Sequence, residues 1–248
     1  MQRRTMLTST ATLILGAVLP GAAQTPSAAR TFVLVHGAWG GGWDWRPVSD
    51  ILSSRGHRAF RATLTGLGER AHLSSPAVGL ETHITDVVNV IQYEDLRDVT
   101  LVGHSYGGMV ITGAADRIPD RITHLVYVDA FVPENGESVS GLTGGKLPAE
   151  IKDGLVIPSW VKPGTVPPMD VPQPLKTFTD PIALKSPLRE RIPTTYILTV
   201  DKGADTDAFD MYAARAKAKG WLVERLTTGH NAQRTARNEL CELLERAR

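Results

Sequence analysis

Apolar positions along this chain alternate between two patterns, short continuous runs and runs spaced three or four residues apart. Residues 31–36 (TFVLVH) form a brief apolar, β-branched run that stops at a glycine, as a strand buried on both faces does. Comparable runs follow at residues 57–64, 99–103, 122–129, 194–200 and 221–226. Between them lie stretches of helical spacing. The clearest covers residues 82–96, where Ile84, Val87, Val88 and Ile91 sit at i, i+3, i+4 and i+7 on one face. Residues 46–55, 107–118, 208–219 and 232–248 read as further helices. Alternation of this kind predicts an α/β fold, a mainly parallel sheet of about six strands with helices on both faces.

The alternation breaks once. Residues 131–193 hold 11 of the 16 prolines and keep no sustained period. So long an irregular stretch inside a compact domain is usually functional, and a lid inserted after the fourth strand, over about residues 132–193, is expected. At the other end, Arg3 and Arg4 precede an apolar, small-residue run, residues 6–23, that closes in Gly-Ala-Ala before Gln24. A charged start, an apolar middle and a small-residue cleavage site make a secretory signal, and the paired arginines also match a twin-arginine export signal. Residues 1–23 are expected to be that signal, residues 24–30 a linker and residues 31–248 the folded domain, exported to the periplasm or beyond. The apolar run is interrupted by threonines and Pro20 and is short for a membrane span, so no stable insertion of the mature protein is expected.

Composition narrows the partners. The 248 residues are 42% hydrophobic and 21% charged, with a formal net charge of +1. Loss of residues 1–23 removes two arginines and no acid, leaving 25 basic against 26 acidic side chains. A near-neutral chain without basic runs gives nucleic acid no electrostatic footprint. The single cysteine, Cys241, forbids an intramolecular disulfide and lies in an amphipathic stretch that reads as buried. No His/Cys/Asp cluster has ligand spacing, so neither metal nor cofactor is expected.

Chemistry gathers at strand ends. Gly103-His104-Ser105-Tyr106-Gly107 fits G-x-S-x-G, entered from a strand and left by a helix, the context in which that motif is a sharp turn presenting a serine. A serine hydroxyl is a weak nucleophile until it is uncovered and set beside a base. The turn is expected to hold Ser105 in a strained backbone, with the flanking glycines leaving room. The glycine-rich run His36-Gly37-Ala38-Trp39-Gly40-Gly41-Gly42 follows the first strand and lets backbone approach a reacting group. The amides of Ala38 and Tyr106 are the expected oxyanion hole. Trp39, Trp43 and Trp45, taken singly, read as core. His230, in Thr228-Gly229-His230-Asn231 after the last strand, lies on the rim where a general base must stand. Three acids compete to orient it. Asp129 closes a buried apolar strand, where a carboxylate needs a partner. Asp201 and Asp205 follow the next strand in a polar run that reads as solvated loop. The order Ser, Asp, His holds for each.

On these residues the sequence resembles the α/β-hydrolase superfamily, and most of all its branch of plant methylesterases, hydroxynitrile lyases and small bacterial carboxylesterases, pyrethroid-hydrolase-like enzymes among them. The carriers are the strand and loop from Val33 through Trp39 with Gly42-Trp43, the Thr63-Leu64-Thr65-Gly66-Leu67-Gly68 loop, the serine turn with Gly108, and Thr228-Gly229-His230. The resemblance is close over about residues 31–135 and looser over 194–248. It implies the α/β-hydrolase fold and a carboxylesterase that cleaves a small or medium, partly apolar ester through a Ser-His-Asp acyl-enzyme mechanism. It also leans toward Asp129, because related bacterial sequences keep an Asp-Ala-Phe-Val-Pro-like segment. Hydroxynitrile lyases of this type carry a threonine after the oxyanion-loop histidine and a lysine after the catalytic one. Here those positions are Gly37 and Asn231, so a departing cyanide would find no cation. A cofactor-free lyase or dioxygenase, and a non-catalytic small-molecule receptor, are the alternatives. In the lid, Trp160, Val161, Val166, Met169, Val171 and Phe178 are expected to roof an apolar pocket.

Overall fold

The computed structural model describes residues 29–147 and 150–247. The expected export signal and most of the expected linker lie outside the described residues. From there the chain alternates β1 (Thr31–Val35), α1 (Arg46–Ser54), β2 (Arg58–Ala62), α2 (Leu80–Tyr93), β3 (Val99–His104), α3 (Gly107–Arg117) and β4 (Ile122–Val128). The irregular stretch resolves into α4 (Val139–Leu142), β5 (Glu150–Lys152), β6 (Leu155–Ile157), β7 (Gln173–Pro174) and α5 (Lys176–Thr179). The alternation resumes with β8 (Thr194–Val200), α6 (Asp210–Ala218), β9 (Leu222–Thr227), α7 (Ala232–Thr235) and α8 (Arg237–Arg246).

Six strands pair in the order β2-β1-β3-β4-β8-β9, all parallel. The interior strands β1, β3, β4 and β8 are buried almost throughout, whereas the edge strands β2 and β9 carry arginines on exposed positions. Successive side chains point to opposite faces, which splits β1 between two cores. Val33 and Val35 join Leu101, Tyr127 and the apolar stripes of α2 and α3. Phe32 and Leu34 join Val102, Val126 and Val128 under α1 and α8. The expected sheet of about six parallel strands, covered on both faces, is the one found.

Two differences from the sequence reading stand out. The last helix, read as continuous over 232–248, is broken at Ala236, whose φ of −139° leaves the helical region. The break lets α7 turn Gln233 and Arg234 toward Asp44 while α8 lays Leu240, Cys241 and Leu244 on the sheet. The insert between β4 and β8 also carries structure, a small antiparallel sheet in the order β5-β6-β7 with two short helices. Cys241 is buried with its thiol toward the Val48 carbonyl, and burial pushes its pKa up to about 11. Among the described residues, no helix is long and apolar enough to cross a membrane.

Candidate active site

Ser105 sits in the tight turn between β3 and α3 with φ +52°, a left-handed conformation that costs a residue with a Cβ about 1–3 kcal/mol. The turn holds because its surroundings over-determine it. The Ser105 amide donates to the Val128 carbonyl at 3.2 Å, and the Ser105 carbonyl accepts from Gly108 at 3.0 Å and Phe131 at 3.2 Å. The motif's glycines are required by contact. A Cβ on Gly103 would stand 2.7 Å from the Gly107 carbonyl oxygen, and one on Gly107 would stand 2.9 Å from those of Val35 and His36. A Cβ on Gly108 would collide with the carbonyl oxygen of Phe131.

Asp129 follows β4 directly, in a second left-handed turn (φ +45°), and is fully buried. Its Oδ1 accepts from the Thr199 amide at 3.1 Å, and its Oδ2 accepts from His230 Nδ1 at 2.6 Å. That contact joins residues 101 positions apart. With Nδ1 donating, Nε2 of the neutral imidazole is free to accept a proton. Asp201 and Asp205 are exposed in the loop after β8, and neither pairs with His230. The loop contributes Phe209 instead, stacked on the imidazole at 5.0 Å and 16°. On another side stands His104, 4.6 Å away. His104 donates from Nε2 to the His230 carbonyl at 2.9 Å, and burial keeps it neutral by lowering its pKa. The serine turn thus anchors the backbone of the histidine beside it.

The glycine-rich loop lies against the same turn, since a Cβ on Gly37 would meet His104 Nδ1 at 2.8 Å and the Ser105 Cβ at 3.2 Å. His36, also held neutral by burial, accepts from the Leu64 amide at Nε2 (3.2 Å) and donates from Nδ1 to the Gly37 carbonyl (2.8 Å). In a trans peptide the N–H points opposite to the C=O, so that bond turns the Ala38 amide away from His36. Among the described residues neither the Ala38 nor the Tyr106 amide has an acceptor. Two donors beside a serine can take a developing oxyanion.

Ser105 and His230 line one cavity of about 370 Å3 with Gly37, Ala38 and Trp39, within the range of small-molecule sites. Asp44, Asp170 and Arg234 line it too, where an apolar roof was expected. The Arg234 guanidinium pairs with Asp44 and stands 3.7 Å from Asp170, which accepts from Trp160 Nε1 at 2.8 Å. Of the expected lid residues, Trp160 lines this cavity, and Phe178 is buried against Trp39 and Tyr106. Met169 and Val171 line a larger neighbouring cavity of about 740 Å3 that does not include Ser105. Val166 is exposed, and Val161 lies in an outer groove. Trp45 is core as expected, but Trp39 belongs to the site. Residues that sequence reasoning missed are His104, the Asp44–Arg234–Asp170 group and Asp207. The Asp207 carboxyl is raised above its usual range by burial and by the nearby charge of Asp129. Among the described residues no group of three or more His, Cys, Asp and Glu could hold a metal ion.

The alpha/beta hydrolase family model matches residues 32–242. This chain belongs to that family. A carbendazim hydrolyzing esterase of Nocardioides sp. (strain SG-4G) is 42% identical over 245 residues, 86% of this chain and 97% of that protein. Methylesterase 8 of Arabidopsis thaliana is 36% identical over 121 residues, 44% of this chain and 40% of its own length. Among solved structures, an extracellular alpha/beta-hydrolase from a Paenibacillus species superposes with a TM-score of 0.70 at 24% identity, covering 88% of this chain and 98% of that one. That last likeness concerns the fold.

Proposed function

We propose that this chain is a serine esterase in which Ser105 is the nucleophile, His230 the general base and acid, Asp129 the orienting carboxylate, and the Ala38 and Tyr106 amides the oxyanion hole. The observation that carries this reading is the 2.6 Å bond between His230 Nδ1 and buried Asp129, with His230 and Ser105 facing one cavity. The near full-length likeness to an esterase supports it.

His230 Nε2 takes the Ser105 proton as the oxygen attacks the ester carbonyl. The carbonyl oxygen becomes an oxyanion held by the two amides, and Asp129 stabilises the imidazolium without taking its proton. His230 then protonates the departing alcohol, leaving an acyl group on Ser105. Water, deprotonated by His230, repeats the sequence and releases the acid. The expected substrate is a small or medium, partly apolar ester, acting outside the cytoplasm after removal of residues 1–23, with residues 132–193 as the lid of the 31–248 domain. Lyase chemistry is disfavoured, since a threonine at 37 would need His104 to move and Asn231 offers no cation. Turnover of p-nitrophenyl esters by the wild type and Ser105→Ala tests the reading. Wild-type activity lost in the variant is expected, and equal rates would refute it.

A further inference from the structure

Outside the triad, a buried glutamine in the lid meets the oxyanion loop. Gln173, in β7, is fully buried, and its Oε1 accepts from the Trp39 amide at 2.7 Å. Its Nε2 donates to Thr177 Oγ1 at 2.7 Å, and Thr177 Oγ1 donates to the Pro174 carbonyl at 2.7 Å. Both ends of the amide are therefore committed, which fixes which way it points. The Val156–Gln173 pairing of β6 with β7 fixes where it stands.

Trp39 is the residue after Ala38, and its φ is +62°. A tryptophan persists in that conformation only where its surroundings insist on it. Two further bonds come from the lid, Val171 N–H to the Trp39 carbonyl at 2.9 Å and Trp39 Nε1–H to the Val156 carbonyl at 3.1 Å. The peptide between Ala38 and Trp39 is pinned at both ends, its C=O by the Gly40 amide at 2.8 Å and its N–H by Gln173. His36 holds the peptide on the other side of Ala38 through the Gly37 carbonyl. Of these clamps on Ala38, only Gln173 is a side chain contributed by the lid.

We infer that Gln173 is a positioning residue for the oxyanion hole, holding the Trp39 amide so that the neighbouring Ala38 amide stays aimed at the oxyanion. The lid then does more than cover the cavity: it completes the geometry of a donor it does not itself supply. This rests on the serine-esterase reading above. Without the Oε1 acceptor, the Trp39 amide is left unpaired at a partly buried position, and the left-handed turn loses one of its restraints. The Ala38 amide remains but is less well aimed, so the loss should be smaller than the 10² to 10³ typical of deleting an oxyanion donor, on the order of 10- to 100-fold in kcat. Ground-state binding uses the cavity walls and should be spared.

The test compares wild type with Gln173→Met, which keeps the length and removes the acceptor, and Gln173→Asn, which keeps an amide too short to span Trp39 and Thr177. Steady-state kinetics on p-nitrophenyl acetate are read beside the dissociation constant of an arylboronic acid, which forms a tetrahedral anionic adduct on a reactive serine. Expected are a kcat loss on the order of 10- to 100-fold, a KM within about threefold, and boronate binding weakened by a factor similar to the kcat loss. An unchanged kcat, or a raised KM with kcat and boronate binding unmoved, would overturn the inference and leave Gln173 as a lid fastener. Failure of both variants to fold would overturn it likewise, by assigning Gln173 to the fold. A wild type that neither turns over the ester nor binds the boronate would instead remove the esterase reading beneath it.

Discussion

Ser105, Asp129 and His230 each stand at or just beyond the C-terminal end of a strand in the parallel sheet, and two of them occupy left-handed turns held by several backbone bonds. In the segment between β4 and β8, by contrast, no described strand or α-helix exceeds four residues. Much of what ties that segment to the site runs through one loop residue, Trp39. The sheet fixes its site residues many times over, whereas the insert of residues 132–193 packs on the body through buried Val139, Val156, Phe178 and Ile182 and meets the site itself through a few hydrogen bonds. Damage to the frame should therefore appear in kcat or in stability, and damage to the insert's outer contacts mainly in substrate binding.

The largest effect belongs to the frame. Asp129→Asn should lower kcat on p-nitrophenyl esters by roughly 10⁴, the scale seen when a triad carboxylate becomes an amide. Asp201→Asn and Asp205→Asn should stay within about twofold, since both residues are exposed and His230 Nδ1 is paired with Asp129 instead. Next comes packing. Gly108→Ala drives a Cβ into the Phe131 carbonyl and should cost about 1–3 kcal/mol, or roughly 2–10 °C in Tm. Gly141→Ala, in the insert's helix α4, meets only Ser138 Oγ at 3.4 Å and should move Tm by less than about 2 °C.

Acid should also act through the frame. His83 is buried, donates from Nε2 to the Thr65 carbonyl, and has its pKa lowered to about 4 by burial, while His36 and His104 are lowered too. The unfolded chain binds protons at these positions from about pH 6.5 downward. Stability present above that value is therefore lost as pH falls toward about 4. Residues 132–193 contain no histidine. Thermal melts across that window should show a steady fall in Tm, and a flat profile would contradict the neutral, buried assignment. The smallest effect is expected at the insert's outer edge. Asp170→Asn keeps a partner for Trp160 Nε1 but weakens a partly exposed ion pair worth about 0–1 kcal/mol, so KM should shift by at most about fivefold with kcat nearly unchanged.

The same contrast governs what could be read from the residues alone. β1, β3, β4 and β8 were legible because burial on both faces writes continuous apolar runs, and α2 because one buried face writes the helical period. The serine turn was legible because its glycines answer to local backbone collisions. Asp129 could be ranked among three acids but not decided, since its bond to His230 depends on how β4 and the loop after β9 meet across 101 residues. His104 read as a turn residue because its partner is a distant carbonyl. The insert between β4 and β8 was legible only as an interruption. Elements of two to four residues complete no period, and the hydrogen bonds that place them involve Gln173, Trp160 and Asp170, residue types with no positional signature.

The central claim, that Ser105 is acylated and then released by the His230–Asp129 pair, is tested most directly by rapid-quench mass spectrometry of the enzyme mixed with excess p-nitrophenyl acetate. The account predicts one acetyl group on the peptide containing Ser105 within the first turnovers, held at a steady level while ester remains and lost once it is consumed. Asp129→Asn should acquire and lose it far more slowly, and Ser105→Ala should not acquire it. Ester turnover by the wild type with no adduct on Ser105, or with the acetyl group on another residue, would contradict it.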